Sequence, residues 1–225
     1  MGRGPVRGGL VASLALVPSV FVYGTVFGGL AVQAGLRSLE VLGMSLLVFA
    51  GASQFVAVPM IAVGASPLAI VLTTYVVNMR HYLMAATLAP AFATFPRAWL
   101  PLVAHGINDE SFAVAVARQN PPDPWFFIGS VLAVAGSFLA GVVVGIGLGG
   151  LVADPVRWGL DFAFPAVFLA LVGAQLRTRA DRMVALASGT LAVLVAFLLP
   201  GNWHIVVAGV TVSAIAALIL DPEHA

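Results

Sequence analysis

The chain has 225 residues, of which 61% are hydrophobic and only 8% are charged, and its formal net charge is +1. A globular domain carries about 25% charged residues, so this composition excludes a water-soluble domain, a disordered chain and a basic nucleic-acid-binding protein. The absence of cysteine excludes disulfides, thiol catalysis and thiolate-bound metals. The composition therefore indicates a protein whose main solvent is lipid.

Eight apolar runs follow one another along the chain, each close to the roughly 20 residues that cross a bilayer. They cover residues 10–34, 41–63, 66–94, 98–118, 126–151, 160–177, 183–200 and 203–220. We predict an all-α polytopic membrane protein with a single transporter domain over residues 1–225 and about eight transmembrane helices, some of them broken. The count is seven if one span of the 183–220 pair is lost, since only Pro-Gly-Asn separates the two.

Three details refine this arrangement. The first run continues well beyond the length of a signal peptide, so we interpret it as an uncleaved helix, with a kink or break near Pro18 or Gly24. Spans one to three and six to eight share a pattern of long runs and short breaks, which is compatible with an inverted repeat. The glycines Gly141, Gly145 and Gly149 form GxxxG steps that favour close helix packing, either within the chain or in a dimer.

The arginines between the spans predict the orientation, because cytoplasmic loops carry the excess of positive charge. With the N-terminus in the cytoplasm, the outer loops hold Arg37, Arg97 and Arg157, and the inner loops hold a larger set. That inner set consists of Arg3, Arg7, Arg118, Arg177, Arg179 and Arg182. We therefore predict a multi-pass protein with both termini in the cytoplasm.

Three charged residues, Arg80, Asp109 and Glu110, fall in the middle of predicted spans, where charge is costly and commonly functional. Counted from a turn near residue 96 at 1.5 Å per residue, Arg80 lies about 24 Å and Asp109 about 20 Å from the same membrane face. Antiparallel neighbours would therefore bring Arg80 level with Asp109 or Glu110. Gly106 favours a break beside them. The pair is either part of a transport site or only a link between two helices, and the second carboxylate is left over for proton coupling.

Other polar side chains lie beside these charges or in the middle of span two. We predict that substrate binding or coupling involves Ser53, Gln54, Asn78, His81 and Asn108 together with Arg80, Asp109 and Glu110. His105 and Asp161 are weaker candidates. Asp161 stands at the start of a predicted span, where a helix dipole favours an acidic residue without any role in binding. Hydrogen bonding between helices is an equally good explanation for Ser53 and Gln54.

The sequence contains no GxSxG elbow, Walker loop or HExxH motif, and its four histidines are scattered. We therefore predict no enzymatic activity, no cofactor and no metal site. A membrane-embedded enzyme would need a nucleophile and a base that the sequence does not display.

Several of these segments together resemble the azaleucine-resistance (AzlC-type) branched-chain amino acid permease family. The resemblance covers roughly residues 14–175. The residues that carry it include Ala50-Gly51-Ala52-Ser53-Gln54-Phe55, Val77-Asn78-Met79-Arg80-His81, Asn108-Asp109-Glu110-Ser111-Phe112 and Leu160-Asp161-Phe162-Ala163-Phe164-Pro165.

The resemblance implies a permease of the prokaryotic cytoplasmic (inner) membrane that exports branched-chain amino acids such as valine, leucine and isoleucine. It also implies a small hydrophobic partner subunit of the AzlD type. Secondary, proton-coupled efflux is our main hypothesis for the function. The alternatives are a non-transporting structural or regulatory membrane subunit, or a transporter of another small solute.

Overall fold

A computed structural model describes residues 3–118, 123–151, 178–198 and 203–219, together with the single residues 169, 173 and 176. These residues are helical or lie in turns, and they contain no strand. They belong to two compact units. The first holds the described residues up to Gln54 and those from Asn78 to Leu151, and the second holds Phe55–Val77 and the described residues beyond Leu151.

The frame of the first unit is a bent helix pair packed along one long helix. Helix α1 (Arg3–Ser13) and helix α2 (Val17–Gln33) meet at a 67° bend, and Pro18 stands in the first turn of α2. The predicted break in the first span is thus confirmed. Proline fits a first helical turn because its missing N–H would have no partner there. The long helix α9 (Pro124–Leu151) begins at Asp123, whose carboxylate accepts the N–H groups of the first turn at 2.8 and 2.9 Å.

Successive contacts between the α1–α2 pair and α9 involve later residues of both partners. The Ser13 and Ser130 hydroxyl groups are 2.7 Å apart, and the Ser137 hydroxyl donates to the Val17 carbonyl at 2.7 Å. Farther along, Gly29 meets Gly149. The helices therefore run parallel, which requires an odd number of membrane crossings between them. The predicted second, third and fourth spans meet this requirement.

A line of glycines, which we call the glycine seam, makes this close packing feasible. A Cβ atom on Gly141 or Gly145 would overlap the Phe21 or Thr25 carbonyl oxygen, and one on Gly24 would overlap that of Phe138. Small residues let the two backbones touch, which is how helices associate where lipid provides no hydrophobic drive. The GxxxG steps therefore pack within the chain. Gly24 serves this contact, and α2 continues without a break through this position.

The segments predicted as spans two, three and four are each divided into shorter helices. Span two consists of α3 (Ser38–Leu47) and α4 (Gly51–Ala62), and span three of α5 (Pro67–Asn78) and α6 (Arg80–Leu88) followed by a 3₁₀ turn, Ala89–Phe92. Span four consists of a 3₁₀ turn, Arg97–Trp99, then α7 (Leu100–His105) and α8 (Asp109–Arg118). The predicted turn near residue 96 and the predicted break at Gly106 are both confirmed.

The second unit contains two longer helices that pack against each other, α10 (Arg179–Leu198) and α11 (Trp203–Ile219). Helix α10 begins with a reciprocal cap, in which Thr178 and Asp181 each accept the other's backbone N–H, at 3.1 and 2.7 Å. The run at 160–177 lies almost wholly outside the described residues, so the inverted repeat stays a prediction.

By length and apolar composition, α9 and α10 can each cross a membrane, and the α1–α2 pair is a third crossing if its bent halves form one span. Helices α3 and α4 are also apolar but are shorter than this. The fold is that of a helical membrane protein, and the count of eight spans stays a prediction.

Exposed polar groups mark the start of α3 in the first unit. The Arg37 side chain donates to Glu40 at 2.6 and 2.9 Å, and the Glu40 carboxylate also accepts the Arg37 backbone N–H at 2.8 Å. These hydrogen bonds hold the pKa of the Glu40 carboxyl below its usual value. A carboxylate in the first turn also suits the positive end of the helix dipole.

Candidate functional site

Two of the three charges predicted in the middle of spans, Arg80 and Asp109, meet at the starts of two half-helices. Arg80, the first residue of α6, places Nη1 2.9 Å from Oδ2 of Asp109, the first residue of α8. This contact agrees with the prediction that antiparallel neighbouring segments bring Arg80 alongside Asp109 or Glu110. The two side chains are 40% and 50% exposed, and Nε of Arg80 is buried without a hydrogen-bond partner among the described residues. The pair is therefore neither enclosed nor fully hydrogen-bonded within the described residues.

The break before α8 is built by Asn108 and Gly106. The Asn108 side chain accepts the Ser111 N–H at 2.8 Å and donates to the Gly106 carbonyl at 3.0 Å, so both ends of its amide are used. Asn108 is therefore the cap of α8, which orients Asp109 and Glu110 at the positive end of the helix dipole. Its predicted contact with substrate has no support in this geometry.

His105 ends α7 and ties it to the first half of span two. Its Nε2–H donates to the Leu46 carbonyl at 2.8 Å, and its ring lies 6.0 Å from that of Phe49. Leu46 is in the last turn of α3, where carbonyl groups lack partners within the helix. His105 thus stabilises the broken end of α3.

The break in span two lies immediately before the Gly51–Gln54 cluster. Phe49 has a φ of 45°, a left-handed conformation that is rare for a residue other than glycine and is often found at functional sites. Across the break, Gln54 Nε2 donates to the Ser45 hydroxyl at 3.4 Å, while Gln54 Oε1 is buried without a partner among the described residues. Ser53 donates to the Ala50 carbonyl at 2.9 Å, so its hydroxyl proton serves the local turn.

The break in span three is a tightened turn. Met79 keeps helical dihedral angles, and its carbonyl accepts the Tyr82 N–H at 3.0 Å in a 3₁₀ pattern. His81 Nδ1 lies 3.0 Å from the Asn78 carbonyl. The Asn78 Oδ1 atom is buried without a partner within the described part of the chain, as is the Ser111 hydroxyl on α8. Buried polar atoms of this kind cost about 1–3 kcal/mol each unless a ligand or water satisfies them.

Tyr23 of α2 joins this region, and the sequence reasoning missed it. Its ring packs on Gly51, the first residue of α4, and it interacts electrostatically with Glu110, Arg80 and Asp109. Ser111 was also not chosen, although it belongs to the same polar run. A tyrosine within an apolar span looks like ordinary packing in the sequence, and only the fold places it beside residues far along the chain.

An apolar cavity of about 450 Å³ reaches the same helix breaks. Phe49, His105 and Gly106 line it beside the breaks, and Trp99 and Trp125 line it near the starts of α7 and α9. No charged residue lines it, so it is suited to an apolar group. Among the described residues, no three His, Asp or Glu side chains form a group that could hold a metal ion.

Comparison with known proteins assigns the chain to a family. The family model described as AzlC protein matches residues 15–152, which is more than half of the chain and includes the breaks in the predicted second, third and fourth spans. The chain belongs to the AzlC protein family. This confirms the resemblance carried by the Gly51–Gln54, Asn78–His81 and Asn108–Phe112 segments.

Relatives of this AzlC protein are membrane proteins. The chain is 31% identical to the inner membrane protein YgaZ of Escherichia coli over 92% of its own length and 87% of that protein. It is 25% identical to the branched-chain amino acid transport protein AzlC of Bacillus subtilis over 88% of its length and 79% of that protein. A membrane protein of Archaeoglobus fulgidus is 31% identical over 83% and 82%. No solved structure matches this AzlC chain.

The fold of this AzlC protein thus gathers some of the predicted site residues. Arg80 and Asp109 are in contact, Glu110 and Asn78 are near them in sequence, and Gln54 has a buried acceptor with no partner among the described residues. Ser53, His81 and Asn108 make local contacts at the breaks, and His105 links two of the broken segments. Asp161 lies outside the described residues.

Proposed function

We propose that this AzlC protein is a secondary transporter that exports branched-chain amino acids such as valine, leucine and isoleucine across the prokaryotic cytoplasmic membrane. The observation that carries the proposal is the ion pair of Arg80 and Asp109, which is partly exposed and lies between two half-helices. A charged group in a membrane protein avoids the lipid tails, so the exposed part of this pair must face a polar space. A solute that crosses the membrane would pass through such a space.

The chemistry of the pair suits a zwitterion. An amino acid needs a cation for its carboxylate and an anion for its ammonium group, and Arg80 and Asp109 offer one of each. Arg80 Nε, Asn78 Oδ1 and the Ser111 hydroxyl, which have no hydrogen-bond partner among the described residues, add donors and acceptors within the same region. The name of the Bacillus subtilis relative, a branched-chain amino acid transport protein, supports this substrate class.

The two partners of the ion pair are held unequally, which favours exchange with a substrate. Asp109 lies in the first turn of α8, where the helix dipole stabilises a carboxylate by about 0.3–1 kcal/mol without any cation. Arg80 lies at the start of α6, where the dipole gives a cation no help. A substrate carboxylate can therefore replace Asp109 on Arg80, and Asp109 then becomes available for the ammonium group.

Proton coupling follows from the charge count. Two carboxylates, Asp109 and Glu110, face one arginine, so one of them is free to take up and release a proton during the cycle. The export direction and a small hydrophobic AzlD-type partner belong to the proposal through the family. The apolar cavity beside the breaks would hold the branched side chain, since ligand pockets of this size are lined mostly by apolar groups.

The test is flux in liposomes that contain the protein together with its partner subunit. We expect a pH gradient to drive uptake or release of labelled valine, leucine or isoleucine above the level of empty liposomes. Arg80→Gln and Asp109→Asn should each lower the flux about 10- to 100-fold, the size of a lost hydrogen bond to a charged group. Arg118→Gln, at the exposed far end of α8, is the matched control and should transport normally.

Two results would contradict the proposal. Absence of flux for every branched-chain amino acid would exclude this function. Loss of the folded protein itself in both variants would instead favour a structural subunit, because breaking an ion pair that serves as a link leaves one charge uncompensated.

A further inference from the structure

We propose that Tyr23 is a further residue of the amino-acid site, where its hydroxyl group hydrogen-bonds a charged group of the substrate while its ring occupies the space above Gly51. The inference rests on the proposed function, and it adds a residue from the rigid frame to a site otherwise built from half-helices. Nothing in the sequence pattern of the polar clusters points to Tyr23.

The contact with Gly51 fixes where the phenol lies. A Cβ atom on residue 51 would be 2.6 Å from Cε1 of Tyr23, 3.2 Å from its hydroxyl oxygen and 3.3 Å from Cζ. The edge of the ring that carries the hydroxyl therefore lies directly on the first residue of α4. A side chain at position 51 would therefore have to displace the ring.

The ring cannot easily withdraw from this position. Tyr23 precedes Gly24, where α2 touches the Phe138 carbonyl of α9, and the Tyr23 ring lies 6.3 Å from the Phe138 ring. Phe138 also packs against Phe27, one turn farther along α2. The glycine seam thus holds the backbone of Tyr23, and the aromatic neighbours hold its side chain.

The surroundings of the phenol match the charges of an amino acid. Tyr23 interacts electrostatically with Glu110, Arg80 and Asp109, so its side chain shares the region of the ion pair. A phenol hydroxyl both donates and accepts hydrogen bonds, so it can serve the carboxylate or the ammonium group of a zwitterion. A site built to hydrogen-bond a group of its substrate discriminates strongly against a ligand that lacks that group.

The hydroxyl is tested with Tyr23→Phe, which keeps the ring. In the liposome assay we expect the apparent KM for the transported amino acid to rise about tenfold or more, as for one hydrogen bond to a charged group, with an unchanged melting temperature. Tyr82→Phe is the matched control, because it removes a hydroxyl from an exposed tyrosine on the same half-helix as Arg80. A normal KM in Tyr23→Phe would overturn the proposal.

The contact with Gly51 is tested by a double-mutant cycle on melting temperature, which needs no transport. Gly51→Ala should destabilise the wild-type protein but be tolerated in a Tyr23→Leu background, where the ring edge is gone. Gly43→Ala, which meets nothing within 4 Å, is the control and should be tolerated in both backgrounds. An equal effect of Gly51→Ala in both backgrounds would refute the contact and the proposal with it.

The two proposals fail in different ways. A wild-type protein that moves no amino acid would overturn the proposed function and the role of Tyr23 together. Normal transport by Tyr23→Phe beside impaired transport by Arg80→Gln would overturn only the role of Tyr23.

Discussion

The packing of α2 on α9 makes opposite predictions for neighbouring glycines of the same helix. Gly145→Ala places a methyl group against the backbone of α2, whereas Gly147→Ala, two residues away, meets nothing within 4 Å. Alanine is favoured over glycine within a helix by about 0.5–1 kcal/mol. We therefore expect Gly147→Ala to stabilise the protein slightly and Gly145→Ala to destabilise it.

The size of the effect follows from the overlap. A Cβ atom on Gly149 would lie 2.7 Å from the Gly29 carbonyl oxygen, 0.7 Å inside the 3.4 Å at which ordinary contact begins. At Gly145 the overlap with the Thr25 carbonyl is deeper, and the obstacle is backbone, which cannot rotate away. Overpacking of this kind costs about 1–3 kcal/mol. A net loss of about 2 kcal/mol at Gly145 corresponds to roughly 4–8 °C in a protein of this size.

The assay is thermal unfolding of the purified variants in the same detergent, monitored as the loss of the monodisperse species. The expected order of melting temperature is Gly147→Ala above wild type, then Gly149→Ala, then Gly145→Ala. Equal melting temperatures for Gly145→Ala and Gly147→Ala would refute the close contact of this face of α9 with α2, because the two residues differ only in which face of α9 they occupy.

Three further outcomes are expected. Ala135→Phe, which narrows the apolar cavity, should raise the KM for leucine more than the KM for alanine in the liposome assay, whereas Leu148→Phe on the exposed side of α9 should change neither. Asn108→Ala should lower the free energy of unfolding by about 1 kcal/mol, because α8 loses its cap, whereas Asn108→Asp should keep the cap and the stability. Thermal melting of the two variants measures the difference. Arg37 lowers the pKa of the Glu40 carboxyl. The contribution of this pair to stability is therefore present at neutral pH and disappears as the pH falls through that lowered pKa. At a pH below the usual pKa of 4.5, the melting temperature of the wild-type protein should approach that of Glu40→Gln.

The charged part of the site was predictable from the sequence for two physical reasons. A mid-membrane charge is too costly to be accidental, so Arg80 and Asp109 stood out among few charges. The constant rise of a helix then converted their distances from a turn into a common depth. The glycine at position 106 indicated the break between them, because it weakens the helix at that point.

The rest of the site depends on contacts between distant parts of the chain. Tyr23 meets a glycine 28 residues later, and no local pattern specifies which residue of an apolar helix will face a polar cluster. The break in span two has no proline or glycine within it, and Phe49, in its left-handed conformation, packs its ring against those of His105 and Phe138. The capping role of Asn108 was also not predicted, because sequence alone cannot distinguish an amide that caps a helix from one that binds substrate.

The first unit combines a stiff part with an interrupted part, and the division has a mechanical consequence. The glycine seam brings the backbones of α2 and α9 into direct contact, and such close-packed surfaces shift between discrete arrangements or not at all. The ion pair, by contrast, stands at the starts of α6 and α8, where the chain is interrupted and the backbone has fewer helical hydrogen bonds to lose. A movement that opens the site to one side of the membrane would therefore involve the half-helices, with Tyr23 remaining on the fixed frame. The substrate would then exchange partners among Arg80 and Asp109 while one hydrogen bond to the frame stays in place.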